Sequence, residues 1–286
     1  MKFGIREAVE VVFKTTRAYS GEANDYLLSE GYAWKKGEPV MYFDTLKTST
    51  TEGTATTVYA MGGKGNPRLI AWEGEKVITF TFEDALISSE GMAILTGAGL
   101  VDAAVDTPIQ VHRKAVVEGT VVANVITVDL TAEMGANDTL LETDIFGFVL
   151  DADGEIIAKL GASTTAADTT DVVTFAYTTA LTDLTVLVDY YVITTSGVKE
   201  ITIEPDKFAG YFYIEGETLF RRQVDGQDLP AMIVIPNAKI QTAFTFAMSP
   251  SGDPSTFTFT ADAFPGVIKG DTTAKKVLYG IQLFEA

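Results

Sequence analysis

The chain holds a single histidine, His112, the one imidazole from which a serine–histidine–acid relay could be assembled. It lies in Pro108-Ile109-Gln110-Val111-His112-Arg113, where strand alternation sets it opposite Ile109 and Val111. No Gly-x-Ser-x-Gly elbow is present to raise a nucleophile toward it, so a surface or interface histidine is the better account. None of the 286 residues is cysteine, which excludes disulfides, thiolate metal sites, cysteine-ligated iron–sulfur clusters and cysteine nucleophiles. One histidine without cysteine is also a poor zinc set. Asp151-Ala152-Asp153-Gly154-Glu155 opens like a calcium loop, but the sixth and twelfth positions, which need glycine and a bidentate glutamate, hold Ile156 and Ala162. Gly62-Gly63-Lys64-Gly65-Asn66-Pro67 lacks the Gly-Lys-Ser/Thr ending and the following helix of a phosphate cradle, and reads as a turn. The acidic pairs Glu73 with Glu75 and Glu83 with Asp84 have the residue types of a glycosidase, which needs two carboxylates facing each other across a sugar cleft. Their spacing sets no such distance, and a solvated acidic surface accounts for them. No catalytic, cofactor or metal site is expected.

The elements that would carry any site are strands. Val77-Ile78-Thr79-Phe80-Thr81-Phe82, Thr242-Ala243-Phe244-Thr245-Phe246 and Thr256-Phe257-Thr258-Phe259-Thr260 alternate small polar with large apolar residues, the pattern of strands with one wet face. Further β-branched and aromatic runs occur at 40–43, 54–60, 121–130, 145–150, 172–177, 184–194, 208–214 and 233–235. Asp153-Gly154 suits a two-residue primed hairpin turn, and Ser196-Gly197 and Asp225-Gly226 suit similar ones. The spacing predicts one helix, over 88–95, with serine as N-cap, Glu90 in the first turn and Gly97 past the end.

The length suits about two domains, and 47% apolar residues suffice for a sizeable core. With 39 acidic and 21 basic side chains the formal charge is −18, the wrong sign for a protein that grips nucleic-acid phosphates. Charges interrupt the N-terminal apolar residues, and no apolar run approaches the roughly 18 residues of a spanning helix, so neither general export nor a membrane partner is expected. Residues 118–199 carry 13 acidic and 2 basic side chains, a local −11 that leaves −7 for the rest. This predicts an inserted acidic domain, 118–199, of immunoglobulin-like size, inside a discontinuous domain made of 1–117 and 200–286. Two consecutive domains are the competing division.

Several phrases in the flanks carry a resemblance. They are Lys36-Gly37-Glu38-Pro39-Val40-Met41-Tyr42-Phe43-Asp44-Thr45-Leu46-Lys47, Arg68-Leu69-Ile70-Ala71-Trp72-Glu73-Gly74-Glu75-Lys76 and Thr79-Phe80-Thr81-Phe82-Glu83-Asp84-Ala85-Leu86. Later come Gly216-Glu217-Thr218-Leu219-Phe220-Arg221, Ile235-Pro236-Asn237-Ala238-Lys239 and Pro250-Ser251-Gly252-Asp253-Pro254-Ser255. Together the flanks resemble tail tube (major tail) proteins of long-tailed bacteriophages. The resemblance implies an all-β fold, a tail-tube-type β-sandwich or barrel with one flanking α-helix, and the middle segment is similar to the immunoglobulin-like β-sandwich additions of virion proteins. It further implies a homo-oligomer: six copies join sheets in a ring, and rings stack into a tube for DNA passage in the virion tail. Other tail proteins, a sheath among them, are the implied partners, and DNA passes without specific binding.

Physical chemistry agrees with that sign of charge, because each cation neutralising a phosphate in a lumen adds affinity and drag. The threonine- and glycine-rich connection from Asp44 to Pro67 can project as a hairpin arm to the next ring, with inter-ring contacts expected from Asp44, Thr45, Lys47, Thr48, Glu52 and Gly53. A surface loop without a partner fits the same composition, and both readings stay open. Six inserted domains would block a channel, which places them outside it. A virion decoration or host-surface binding module is the alternative function, and a glycan hydrolase the third.

Overall fold

A computed structural model describes residues 2–5, 10–18, 35–86, 88–161, 163–165, 171–178, 183–241, 245–246 and 256–284. The predicted strand 242–246 falls within them only at Thr245–Phe246, and the phrase 250–255 lies outside. The chain divides into two compact units, residues 1–100 with 201–286 and residues 101–200.

In the first unit seven strands follow one hydrogen-bonded path: Pro39–Phe43, Glu10–Thr15, Tyr211–Arg222, Asp228–Ile240, Phe257–Ala263, Arg68–Asp84 and Leu46–Met61. Every pair is antiparallel. Alternation decides what this sheet buries. Phe80 and Phe82 on one strand and Phe257 and Phe259 on the next turn inward with Phe13, Phe43 and Phe212. Their rings pack edge-on or offset, with centroids 5.3 Å apart for Phe13 and Phe43 and 5.0 Å for Phe43 and Phe259, the spacing at which aromatic pairs gain beyond area burial.

The predicted helix is Ser89–Thr96. The Ser88 hydroxyl accepts from the Gly91 N–H at 2.9 Å, satisfying one orphan donor of the first turn. Gly97 ends it at φ 71°, and its N–H returns to the Ala93 carbonyl. Ile94 and Leu95 insert into the phenylalanine core. A β-carbon on Gly97 would lie 2.4 Å from the Phe208 carbonyl carbon, so both φ and space demand glycine there.

The second unit has its own core. The path runs Ile156–Lys159, Phe146–Leu150, Asp183–Thr194, Ile109–Val122, Val125–Asp129, Val172–Ala176, Ser163–Thr165, with Asp138–Leu140 also paired to Asp183–Thr194. Val128, Val149, Val173, Phe175, Val186 and Val188 are fully buried in it. Ile109–Val122 pairs with Asp183–Thr194 from Ile109 onward. The shift in composition at 118 therefore falls inside a strand: charge content reports solvent exposure, whereas the unit's edge is set by pairing.

Several turns differ from their sequence reading: in Ser196-Gly197 and Asp225-Gly226 only the glycines have positive φ (75° and 70°), so neither is a primed turn with both central residues left-handed. The predicted run 121–130 is two strands, because Ala123 (φ 50°) and Asn124 (φ 66°) form the two-residue left-handed turn that matches strand twist. The Asp153-Gly154 hairpin is present, but only Gly154 has positive φ (84°), and Asp151 N–H reaches Glu155 carbonyl across three residues at 3.0 Å. A primed two-residue turn needs both central residues left-handed. The Asp151 carboxylate makes the difference by accepting from the Asp153 and Glu155 N–H groups at 3.0 and 2.8 Å.

Candidate assembly surface

Leu46–Met61 and Arg68–Asp84 form one long hairpin whose two halves do different things. Near the core, Ile78, Phe80, Phe82 and Asp84 are buried and the residues between them face outward. The far half, residues 52–76, is exposed on both faces apart from half-buried Ala60 and Gly62. At about 3.3 Å per residue it extends roughly 30 Å. The segment read as an arm is thus a strand pair, closed by a turn in which Gly63 and Gly65 both have φ 88°. A bulge sits where Thr56 meets Gly74: the Thr56 hydroxyl accepts from the Glu75 N–H at 3.0 Å, and a β-carbon on Gly74 would lie 2.5 Å from that oxygen.

Direct cross-strand pairing assigns the arm's faces. Val58 opposes Trp72 and Ala60 opposes Ile70, an apolar row in which Val58 is 63% and Trp72 54% exposed. On the other face the Arg68 guanidinium lies 4.1 Å from the centre of the Tyr59 ring. Such a row, on a strand pair with neither face covered, is an exposed apolar surface of the kind that pairs with another chain.

Closer to the core, the register builds a second feature. Thr48, Glu83 and Thr258 form one row across three strands; Thr50, Thr81 and Thr260 form the next; Glu52, Thr79 and Asp262 form the third. This nine-residue lattice holds six threonines and three carboxylates on the face opposite the phenylalanine core; its third row continues from Asp262 to Lys239, and Lys47 lies near Glu83. Thr48 donates to Glu83 at 3.0 Å and Thr79 to Asp262 at 2.8 Å. Hydrogen bonds from Thr256 and Thr48 hold the Glu83 carboxyl below its ordinary range.

The six residues expected at an inter-ring contact do not form one cluster. Thr48 and Glu52 belong to the lattice, and Thr45 donates through its hydroxyl to the buried Asp84, which also accepts from the Leu86 N–H at 3.3 Å. Asp44 and Lys47 are exposed at the hairpin's base, and a β-carbon on Gly53 would touch Ile78 at 3.0 Å. Sequence reasoning missed the distal residues Val58, Ile70 and Trp72, which period-two alternation assigns to a buried face until the partner strand is known.

His112 lies on the exposed face of the second unit's sheet, its Nε2 2.8 Å from Asp189 Oδ2 and its ring 5.2 Å from that of Tyr191. Two recesses lie in the first unit. One, of about 280 Å³, is lined by Val11, Phe80, Ile214 and Ile233 with the Ser49 and Thr51 hydroxyls. The other holds Lys239, whose ammonium donates to the Ala209 carbonyl and whose pKa burial pushes down. Among the described residues no group of three or more histidine, aspartate or glutamate side chains could hold a metal ion.

The family model described as the YomU/Tube protein family matches residues 32–278 of the chain. No curated protein matches it.

Proposed function

Since the chain belongs to the YomU/Tube protein family, a phage-associated family of tube-type structural proteins, we propose that it is a tail tube subunit: six copies form a ring and rings stack into the tube through which DNA passes. The observation that carries this reading is the threonine–carboxylate lattice. A wall over which duplex DNA slides must hydrate well and must not grip phosphates, and a lattice of six hydroxyls and three carboxylates meets both needs, with Lys239 opposite Asp262 donating to the Ala209 carbonyl and Lys47 beside Glu83. The lattice then lines the passage.

The exposed arm reaches a neighbouring copy, with Asp44, Lys47 and Gly53 at its root. Edge strands that would be a liability in a monomer are covered by neighbours when the ring closes. The acidic unit, residues 101–200, is an immunoglobulin-like addition on the outside of the tube, where its charge keeps filaments apart or meets a basic patch on a sheath or host surface. The protein works in the virion tail and performs no catalysis.

The test is negative-stain electron microscopy of the purified chain over a concentration series, with sedimentation alongside. Hollow tubes or six-membered rings are expected. A particle that is monomeric at every concentration would turn the reading toward a binding module. A hairpin shortened by replacing residues 56–74 with a tight turn keeps the lattice intact and should stop stacking. Removing residues 48–53 is a poorer test, because they pair with the core strand.

A further inference from the structure

The arm is a cationic segment in an acidic chain. From residue 53 to residue 72 there is no carboxylate and there are two cations, Lys64 and Arg68. The whole chain carries 39 acidic side chains and a charge of −18, so a segment with two cations and no carboxylate is attracted to an acidic surface of a second copy. Lys64 occupies the turn at the tip, and Arg68 begins the returning strand on the face of Tyr59 and Met61, opposite the apolar row of Val58, Ile70 and Trp72.

A complementary surface exists on the same unit. Glu10 and Glu217 stand directly opposite each other on adjacent antiparallel strands, and the row continues through Met232 to Gln282. Like charges directly opposite are destabilising. One row along, Glu215 is paired with Lys14, but neither Glu10 nor Glu217 has an ion-pair partner among the described residues. Beside them on the same face, Leu219 opposes Pro230. The surface is therefore acidic and apolar where the arm is cationic and apolar.

We propose that the arm of one copy docks on the Glu10–Glu217 face of a neighbouring copy, with Lys64 and Arg68 supplying the charge that this carboxylate pair lacks among the described residues and the exposed Tyr59 and Met61, on the same face as Arg68, covering the adjacent apolar residues. This rests on the assembly reading above and names the contact that joins the copies. The carboxylate pair is a strain within one copy that a second copy relieves, which ties folding of the unit to assembly.

Charge exchange tests it on the full chain. Wild-type assembly, read by sedimentation and electron microscopy, should weaken as salt rises. Lys64→Glu with Arg68→Glu, or Glu10→Lys with Glu217→Lys, should each raise the concentration needed for assembly at least tenfold, and the four changes together should restore much of it. Glu10→Gln with Glu217→Gln supplies a variant that must fold: it should melt higher than wild type and yet assemble less readily, a combination that a merely structural role would not produce. Tubes that form at the wild-type concentration in both charge-reversed pairs overturn the docking while leaving the tube reading intact, as does a fourfold variant no better than either pair. A wild type that never assembles overturns both.

Discussion

Phe82 and Phe259 are direct cross-strand partners whose rings stack with centroids 5.2 Å apart and planes 28° from parallel. Their neighbours along the chain, Glu83 and Thr258, are paired in the same register on the opposite face. One hydrogen-bonding pattern thus sets both the core and the wet lattice. Truncating Phe259 to alanine removes a ring that touches Phe13, Phe43, Phe82 and Phe257, and should cost about 3–5 kcal/mol in urea unfolding. A loss below about 1 kcal/mol would contradict the packing.

Gly97 closes the helix in a left-handed conformation against the Phe208–Ala209 backbone. Replacing it with alanine meets both the φ penalty and a backbone clash, and should destabilise the unit by roughly 2–4 kcal/mol. Gly154, with φ 84° and open space around it, provides the control: alanine there carries only the φ penalty, of about 1 kcal/mol. Thermal melts of the two variants should differ accordingly.

Thr45→Val leaves the buried Asp84 carboxylate without its hydroxyl donor while preserving shape. The expected cost is about 1–3 kcal/mol of stability, with the hairpin's root loosened. Amide exchange at Ala85, whose N–H is bonded to the Thr45 carbonyl at 3.2 Å, should quicken, and unchanged exchange would argue against this anchor.

Four carboxylates are held below their ordinary range in the folded chain: Glu83 by Thr256 and Thr48, Asp129 by Thr131, Asp225 by Arg222 and the Gln227 N–H, Asp271 by Thr273. Between the lowered and the ordinary pKa, the unfolded chain binds more protons than the folded one, so stability rises with pH in that window. Their contribution is complete above the ordinary carboxylate range, about pH 4, and is lost as pH falls through the lowered values. The melting temperature of the dilute, unassembled protein should fall below about pH 4. Thr131→Val should flatten part of that decline. A melting temperature that keeps rising toward pH 2 would be incompatible with these bonds.

Trp72 and Ile70 extend from the arm with no cover, so alanine at either should leave unfolding within about 0.5 kcal/mol of wild type. The same substitutions should reduce assembly. Loss of stability without loss of assembly would place these side chains in an internal role.

The sequence by itself determined the β class, the single helix with its Ser88 and Gly97 ends, and which residues of each strand share a face. Those properties are local: a serine caps the turn that follows it, glycine alone accepts the left-handed end, and alternating Thr and Phe in 256–260 sort onto two sides of whatever strand they form. Turns were legible in part, since Gly154 and Gly226 take positive φ as expected, whereas Ala123-Asn124 carries no glycine and was read as strand. The lattice of Thr48, Thr81 and Asp262, the opposition of Glu10 and Glu217, the exposure of Trp72 and the unit boundaries at 100 and 200 came only with tertiary structure. Period two says that residues i and i+2 share a face, but not which strand lies beside them, in what register, or whether anything covers that face. Those depend on pairings between residues as far apart as Glu10 and Glu217, whose energy is decided by the closed sheet rather than by either segment.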